Sequence, residues 1–191
     1  MAFSCDSSAK PLGDYEYSIW MMPGAKATRQ IGALIAELSS NHGSVMFEPH
    51  VTLLGYTQGT EPEVLKKTEL LSKSISPMRC EFDGIAHSGD YLRAIYVNIK
   101  VSEALRHARS KASEIFGIEG SDFKPHLSLI YSEMGETERA KAIAGIDSSL
   151  FEGLKGFDVD CLYLYRRRWT GKEWMRVASF RISDQAHPKQ N

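Results

Sequence analysis

Two eight-residue segments of this chain align without a gap: Pro49-His50-Val51-Thr52-Leu53-Leu54-Gly55-Tyr56 and Pro125-His126-Leu127-Ser128-Leu129-Ile130-Tyr131-Ser132. Both read Pro-His-aliphatic-(Thr/Ser)-Leu-aliphatic. In a strand, residues i and i+2 share a face. His50 therefore projects with Thr52, and His126 with Ser128, while Val51, Leu53, Leu127 and Leu129 turn the other way to fill a core. One His-x-Thr pair alone is no signal, since a lone strand histidine is more often a core or rim residue with a satisfied hydrogen bond. The matched pair, with its prolines and aliphatics in register, points to a shared task.

Two imidazoles and two hydroxyls facing one another across a cleft suit hydrolysis of a cyclic phosphodiester. Water must lose a proton as it attacks phosphorus, and the leaving sugar oxygen must gain one. A histidine supplies both forms near neutral pH. Thr52 and Ser128 can donate to the non-bridging oxygens, holding phosphorus in line as charge builds. We expect His126 to act as base towards water and His50 as acid. A metal site made of both histidines and an acid such as Glu48 or Glu133 lacks the tight ligand spacing of zinc motifs, so no metal and no cofactor is expected.

The elements that must position these groups alternate along the chain. Tyr15 to Met22 reads as a strand, ended by Pro23-Gly24. Ile31, Leu34, Ile35 and Leu38 recur at helical spacing, closed by Asn41-His42-Gly43. His50 to Tyr56 is the first motif strand. Thr60-Glu61-Pro62-Glu63 is a capping box opening a helix. Met78–His87 and Tyr91–Ile99 form a hairpin around Ser88-Gly89-Asp90, and Ser102 caps a third helix. His126 to Tyr131 is the second motif strand. A weaker helix at Thr137–Ile146 precedes a last hairpin, Phe157–Arg166 with Glu173–Ile182, around Thr170-Gly171-Lys172. This order predicts an α+β fold with mainly antiparallel sheets. One theme is played twice: a helix, a His-bearing strand, a helix, a hairpin.

The 191 residues fit a single domain of two half-sized lobes, with residues 1–13 and 184–191 as loose tails. The lobes are expected to be related by a pseudo-twofold, with two sheets facing a central cleft and helices outside. The balance of 23 Lys+Arg against 24 Asp+Glu, net −1, argues against a surface that coats nucleic acid. No run reaches the roughly 18 apolar residues of a membrane span, and the first residues lack a secretory pattern. Cys5, Cys80 and Cys161 are too few and scattered for a disulfide framework. A cytoplasmic monomer is expected, with the nucleus left open. Arg166-Arg167-Arg168 reads as a solvated hairpin end, although alternation would let Arg166 and Arg168 reach an outer diphosphate.

At the two motifs the chain resembles the two-histidine, or LigT-like, phosphoesterase superfamily. Tyr17-Ser18-Ile19-Trp20 and Phe123-Lys124-Pro125-His126-Leu127-Ser128-Leu129-Ile130-Tyr131 resemble its cyclic phosphodiesterase branch of plants and fungi. The similarity runs from Tyr15 to about Ile182. It implies opening of ADP-ribose 1″,2″-cyclic phosphate, a by-product of tRNA splicing, to the 1″-phosphate, and of nucleoside 2′,3′-cyclic phosphates to 2′-phosphates. It also implies catalytic roles for His50, His126, Thr52 and Ser128, with Tyr131 over the sugar or base and Trp20 in the cleft wall. By strand parity Tyr131 reaches the cleft only if its strand twists or ends before it, and is otherwise a core tyrosine. The partner would be a small cyclic-phosphate nucleotide, with no membrane and no stable nucleic-acid complex. Other activities share these motifs: trimming or cleaving oligonucleotides, 2′-5′ ligation, or nucleotide or RNA binding without catalysis.

Overall fold

The computed structural model describes residues 14–118, 122–169 and 173–183. Elements follow in the order β1 (Tyr15–Met21), α1 (Ala25–His42), β2 (Val51–Thr57), α2 (Glu61–Ser74), β3 (Met78–His87), a 3₁₀ turn (Tyr91–Arg93), β4 (Ile95–Ile99), α3 (Glu103–Phe116), β5 (His126–Ile130), α4 (Glu136–Ala144), α5 (Ser149–Leu154), β6 (Gly156–Val159), β7 (Cys161–Arg168) and β8 (Met175–Arg181). The expected tails, Cys5, His187 and the turn Thr170-Gly171-Lys172 lie outside the described residues.

Every strand pairing is antiparallel, and the strands run in the order β6-β3-β4-β5-β2-β1-β7-β8. The α+β class and the bilobal plan are as expected. In place of two separate sheets the strands form one eight-stranded sheet, whose four-stranded halves β6-β3-β4-β5 and β2-β1-β7-β8 join where Val51 pairs with Leu127. The sheet must curl strongly. Only Asp160 separates β6 from β7, so the chain spans no more than about 7.6 Å there. Laid flat, six strand spacings would set those strands roughly 29 Å apart.

The repeat seen in sequence is exchanged in space. Hairpin β3–β4 follows the first motif but pairs with β5, the strand of the second. Hairpin β7–β8 follows the second motif but adjoins β1, the neighbour of β2. The helices do likewise: α1 packs against β5 and α3 against β2. Each motif strand is thus backed by the helix that precedes the other motif in the chain.

Amphipathic spacing decides which faces are covered. Ile31, Ile35 and Leu38 of α1 and Leu105, Ala108 and Ala112 of α3 are buried against Val51, Leu53, Leu127 and Leu129. The helices cover this face, and the other face of the motif strands is left to the cleft. Thr60 and Glu63 complete the capping box that opens α2. Cys80 and Cys161 are free thiols, and burial pushes Cys80 up to about 12.

Three elements differ from the sequence expectation. The single strand over Phe157–Arg166 is two, because β6 leaves to cover the edge of β3 while β7 pairs with β1. The strand expected from Tyr91 begins at Ile95, after the 3₁₀ turn, and the short helix α5 has no counterpart in the pattern. Gly156 fits this crowded join because it lacks a side chain: its φ is +145°, and a Cβ would lie 2.2 Å from the Cys80 carbonyl oxygen. Gly156→Ala should therefore cost roughly 3 kcal/mol or more in urea unfolding; a loss under about 1 kcal/mol would contradict this packing.

Candidate active site

The Val51–Leu127 pair sets the geometry of the site. In an antiparallel register, a pair at 51 and 127 puts His50 across from Ser128 and Thr52 across from His126. Val51 and Leu127 are fully buried on the helix side, so these four side chains share the opposite face. All four line one cavity of about 460 Å³, together with Ser18, Trp20, Gly55, Tyr56, residues 90–93, Tyr131 and Trp174. The two histidines are diagonal neighbours, a relation that places Cα atoms about 7–8 Å apart.

Each imidazole is oriented by the same local device. His50 Nδ1 bonds the Glu48 carbonyl at 2.7 Å, and His126 Nδ1 bonds the Lys124 carbonyl at 2.9 Å. A carbonyl only accepts, so each Nδ1 carries the proton and each Nε2 is left as the working nitrogen. Both carbonyls belong to the residue before a proline, Pro49 or Pro125. Proline holds its predecessor extended, which fixes the direction of that carbonyl. The matched prolines of the motifs are part of the histidine mount.

The hydroxyls are not equivalent. Ser128 Oγ donates to the Leu92 carbonyl at 2.7 Å, tying β5 to the 3₁₀ turn. Thr52 makes no side-chain hydrogen bond among the described residues and presents its hydroxyl to the cavity. Ser128 must rotate away from Leu92 before it can donate to a phosphate oxygen, whereas Thr52 is already free to do so.

Trp20 lines the cavity and also packs against His50. Its indole lies between His50, with centroids 3.6 Å apart and planes 7° from parallel, and Tyr165, at 3.8 Å and 21°. Its Nε1 donates to Ser18 Oγ at 2.7 Å, and Ser18 donates on to the Leu54 carbonyl of β2. Both faces of the ring are occupied and only 5% of the residue is exposed, so Trp20 touches the cleft at an edge. It is a platform that positions His50. Tyr165 is itself held by a hydrogen bond to the Glu48 carboxylate.

Tyr131 does reach the cleft. Strand β5 ends at Ile130, which releases Tyr131 from strand parity. Its ring stacks on Phe47 at 3.8 Å. Arg166 and Arg168 do not reach it: Arg166 pairs with Glu61, both guanidinium groups lie over Tyr15, at 4.6 and 5.8 Å, and neither lines the cavity. The intervening Arg167 pairs with buried Glu16. His42 ends α1, His87 ends β3 and His107 is exposed on α3, as their contexts implied.

Several cleft residues gave no sequence signal. The 3₁₀ turn brings Tyr91, Leu92 and Arg93 to the cavity, and Tyr96 meets the His126 ring edge-on at 5.4 Å. Tyr56 lies at the cavity rim with φ +55°, beside the register shift between β1 and β2. Non-glycine residues take this conformation at a cost, and bulges of this kind re-aim side chains beside functional sites.

Burial lowers the proton affinity of both histidines. Desolvation pushes His50 down to about 4, partly offset by the Glu48 carbonyl and reinforced by the charge of His126. His126 is lowered mainly by desolvation, then by Arg93, while the Lys124 carbonyl and Asp90 act the other way. Desolvation raises the Tyr131 phenol, so it stays protonated.

The sequence model of the 2′-5′ RNA ligase superfamily matches residues 23–170. The chain belongs to that superfamily. It is a LigT-like two-histidine phosphoesterase. A protein of Arabidopsis thaliana named "Cyclic phosphodiesterase" is 24% identical over 138 residues, covering 70% of this chain and 76% of that protein. Among solved structures, E. coli LigT complexed with 3′-AMP has a TM-score of 0.60 at 13% identity, covering 90% of this chain and 100% of that one. TT0787 of Thermus thermophilus has a TM-score of 0.58 at 16% identity, covering 89% and 99%. At these identities the structures share the phosphoesterase's fold.

The platform role of Trp20 is open to test. Trp20→Leu should admit water to the His50 ring and raise its pKa from about 4 towards the ordinary value near 6.5 in an NMR titration. Trp20→Phe, which keeps a stacked ring, should shift it less. An unchanged His50 titration in Trp20→Leu would rule out the platform.

Proposed function

We propose that this phosphoesterase hydrolyses small cyclic phosphodiesters, opening ADP-ribose 1″,2″-cyclic phosphate to ADP-ribose 1″-phosphate and nucleoside 2′,3′-cyclic phosphates to 2′-phosphates. The observation that carries this reading is the four-residue set His50, Thr52, His126 and Ser128 on one face of β2 and β5, held in register by Val51–Leu127. The name of the Arabidopsis relative supports it.

In this mechanism the cyclic phosphate sits between the two Nε2 atoms. Thr52, and Ser128 after rotation, donate to the non-bridging oxygens and steady the charge of the transition state. One histidine takes a proton from the attacking water. The other protonates the departing ribose oxygen, O3′ in a nucleoside substrate, so the phosphate remains on O2′. We take the more desolvated His50 as base and His126 as acid, the opposite of the roles expected from the motifs alone. In this reading Tyr131, backed by Phe47, packs against the sugar or base.

The active form needs neutral His50 and protonated His126. In the free protein that form begins to accumulate as pH rises through about 4 and is lost as pH passes the lowered pKa of His126. The profile of kcat/KM should therefore be a bell whose alkaline limb falls below about 6.5; a maximum above pH 8 would contradict the assignment. His50→Ala and His126→Ala should each lower kcat for adenosine 2′,3′-cyclic phosphate by at least about 10³-fold with the fold intact, and EDTA should leave wild-type activity unchanged. Thr52→Val should cost more than Ser128→Ala, since Thr52 alone offers a free hydroxyl at the start. Full activity in either histidine variant would exclude the mechanism, and faster turnover of oligonucleotide ends than of mononucleotides would exclude the substrate class.

A further inference from the structure

Among the described residues lining the cavity, Arg93 is the only lysine or arginine. The proposed reaction does not use it, since two imidazoles and two hydroxyls meet the reacting phosphate. Yet Arg93 stands on a firmly anchored piece of backbone. Three successive carbonyls of the 3₁₀ turn are each claimed by a serine: Tyr91 O by the Ser132 N–H at 3.0 Å, Leu92 O by Ser128 Oγ at 2.7 Å, and Arg93 O by Ser88 Oγ at 2.9 Å. The Arg93 N–H closes the turn on the Asp90 carbonyl at 2.9 Å.

The side chain is held as well. Nε and Nη2 of Arg93 both donate to Asp90 Oδ2. The guanidinium carbon lies 5.9 Å from the centre of the Tyr96 ring, which in turn meets His126. Among the described residues Nη1, on the other guanidinium edge, has no hydrogen bond. An arginine held from one edge by Asp90, lining the same cavity as His126 and close enough for its charge to act on that imidazole, can take a second anion through charge-assisted, paired hydrogen bonds.

We propose that Arg93 forms a subsite for a second phosphate, one carried on the 5-carbon of the ribose whose ring bears the scissile cyclic phosphate. The proposal rests on the substrate class given above and sharpens it. ADP-ribose 1″,2″-cyclic phosphate carries its diphosphate at that carbon, and a 5′-phosphorylated nucleoside cyclic phosphate carries one phosphate there. An unphosphorylated nucleoside 2′,3′-cyclic phosphate carries none. Arg93 would thus select among cyclic phosphates by charge at the far end of the sugar. Asp90 orients the guanidinium and weakens its pull, which keeps the subsite selective without trapping product.

Stable product analogues test this without turnover. Quenching of the cleft tryptophans Trp20 and Trp174 would report binding of adenosine 2′-phosphate and of adenosine 2′,5′-bisphosphate. The wild type should bind the bisphosphate at least about tenfold more tightly. In Arg93→Gln the ratio of the two Kd values should fall to within about twofold of one, and Arg93→Lys should keep part of it. Asp90→Asn, which frees the guanidinium and removes a like charge, should widen the ratio. A wild-type ratio near one, no binding of either probe, or a ratio unchanged in both Arg93→Gln and Asp90→Asn would overturn the subsite. Should the wild type bind with the expected ratio, and lose it in Arg93→Gln, but fail to open any cyclic phosphate, the hydrolytic reading would fail and the subsite would stand.

Discussion

The two halves of the sheet meet at Val51 and Leu127, and the rest of the site depends on that pairing. It is a backbone contact, yet it decides chemistry because side chains in a strand alternate with period two. With Val51 and Leu127 buried under the helices, their neighbours His50, Thr52, His126 and Ser128 are committed to the cleft. A slip of one residue would carry all four into the core and leave the aliphatic side chains facing the ligand. Burial of the apolar set, which is worth roughly 1.5–3 kcal/mol per side chain, opposes such a slip on both strands at once.

The exchange of elements between the halves reinforces this join. Were each motif strand packed only on its own neighbours in sequence, the halves could separate at the seam. Instead α1 backs β5 and α3 backs β2, and Arg109 of α3 donates to the Leu53 carbonyl at 3.0 Å. The strong curl that brings β6 and β7 within one residue of each other bends the sheet around the site. This rigidity keeps the two imidazoles fixed relative to one another across the cleft.

Within this frame the two motifs, so alike in sequence, become unlike in environment. His50 is stacked on Trp20 and strongly desolvated, whereas His126 sits by Tyr96 with Arg93 and Asp90 nearby. Thr52 is free, whereas Ser128 is tied to the 3₁₀ turn. The two imidazoles thus share a lowering of proton affinity by burial but differ in the neighbours that modify it.

The placing of His50, Thr52, His126 and Ser128 on one face and the α+β order were legible in the sequence, because a period-two motif repeated with matched prolines constrains both local structure and facing. That Tyr131 reaches the cleft turned on where β5 ends, and strand ends are set by pairing with β4. Trp20 could be placed on the correct face by alternation, but its sandwich between His50 and Tyr165 joins residues far apart in the chain. The 3₁₀ turn was hidden because Tyr91-Leu92-Arg93 has the composition of a strand start, and only its serine partners at 88, 128 and 132 pull it into a turn. The sequence by itself determined which residues could do chemistry and which face of each strand they share, since those follow from residue type and backbone period. Tertiary structure decided which strand meets which, how far each imidazole is desolvated and which cation enters the cleft, since long-range pairing and burial are properties of the assembled surface.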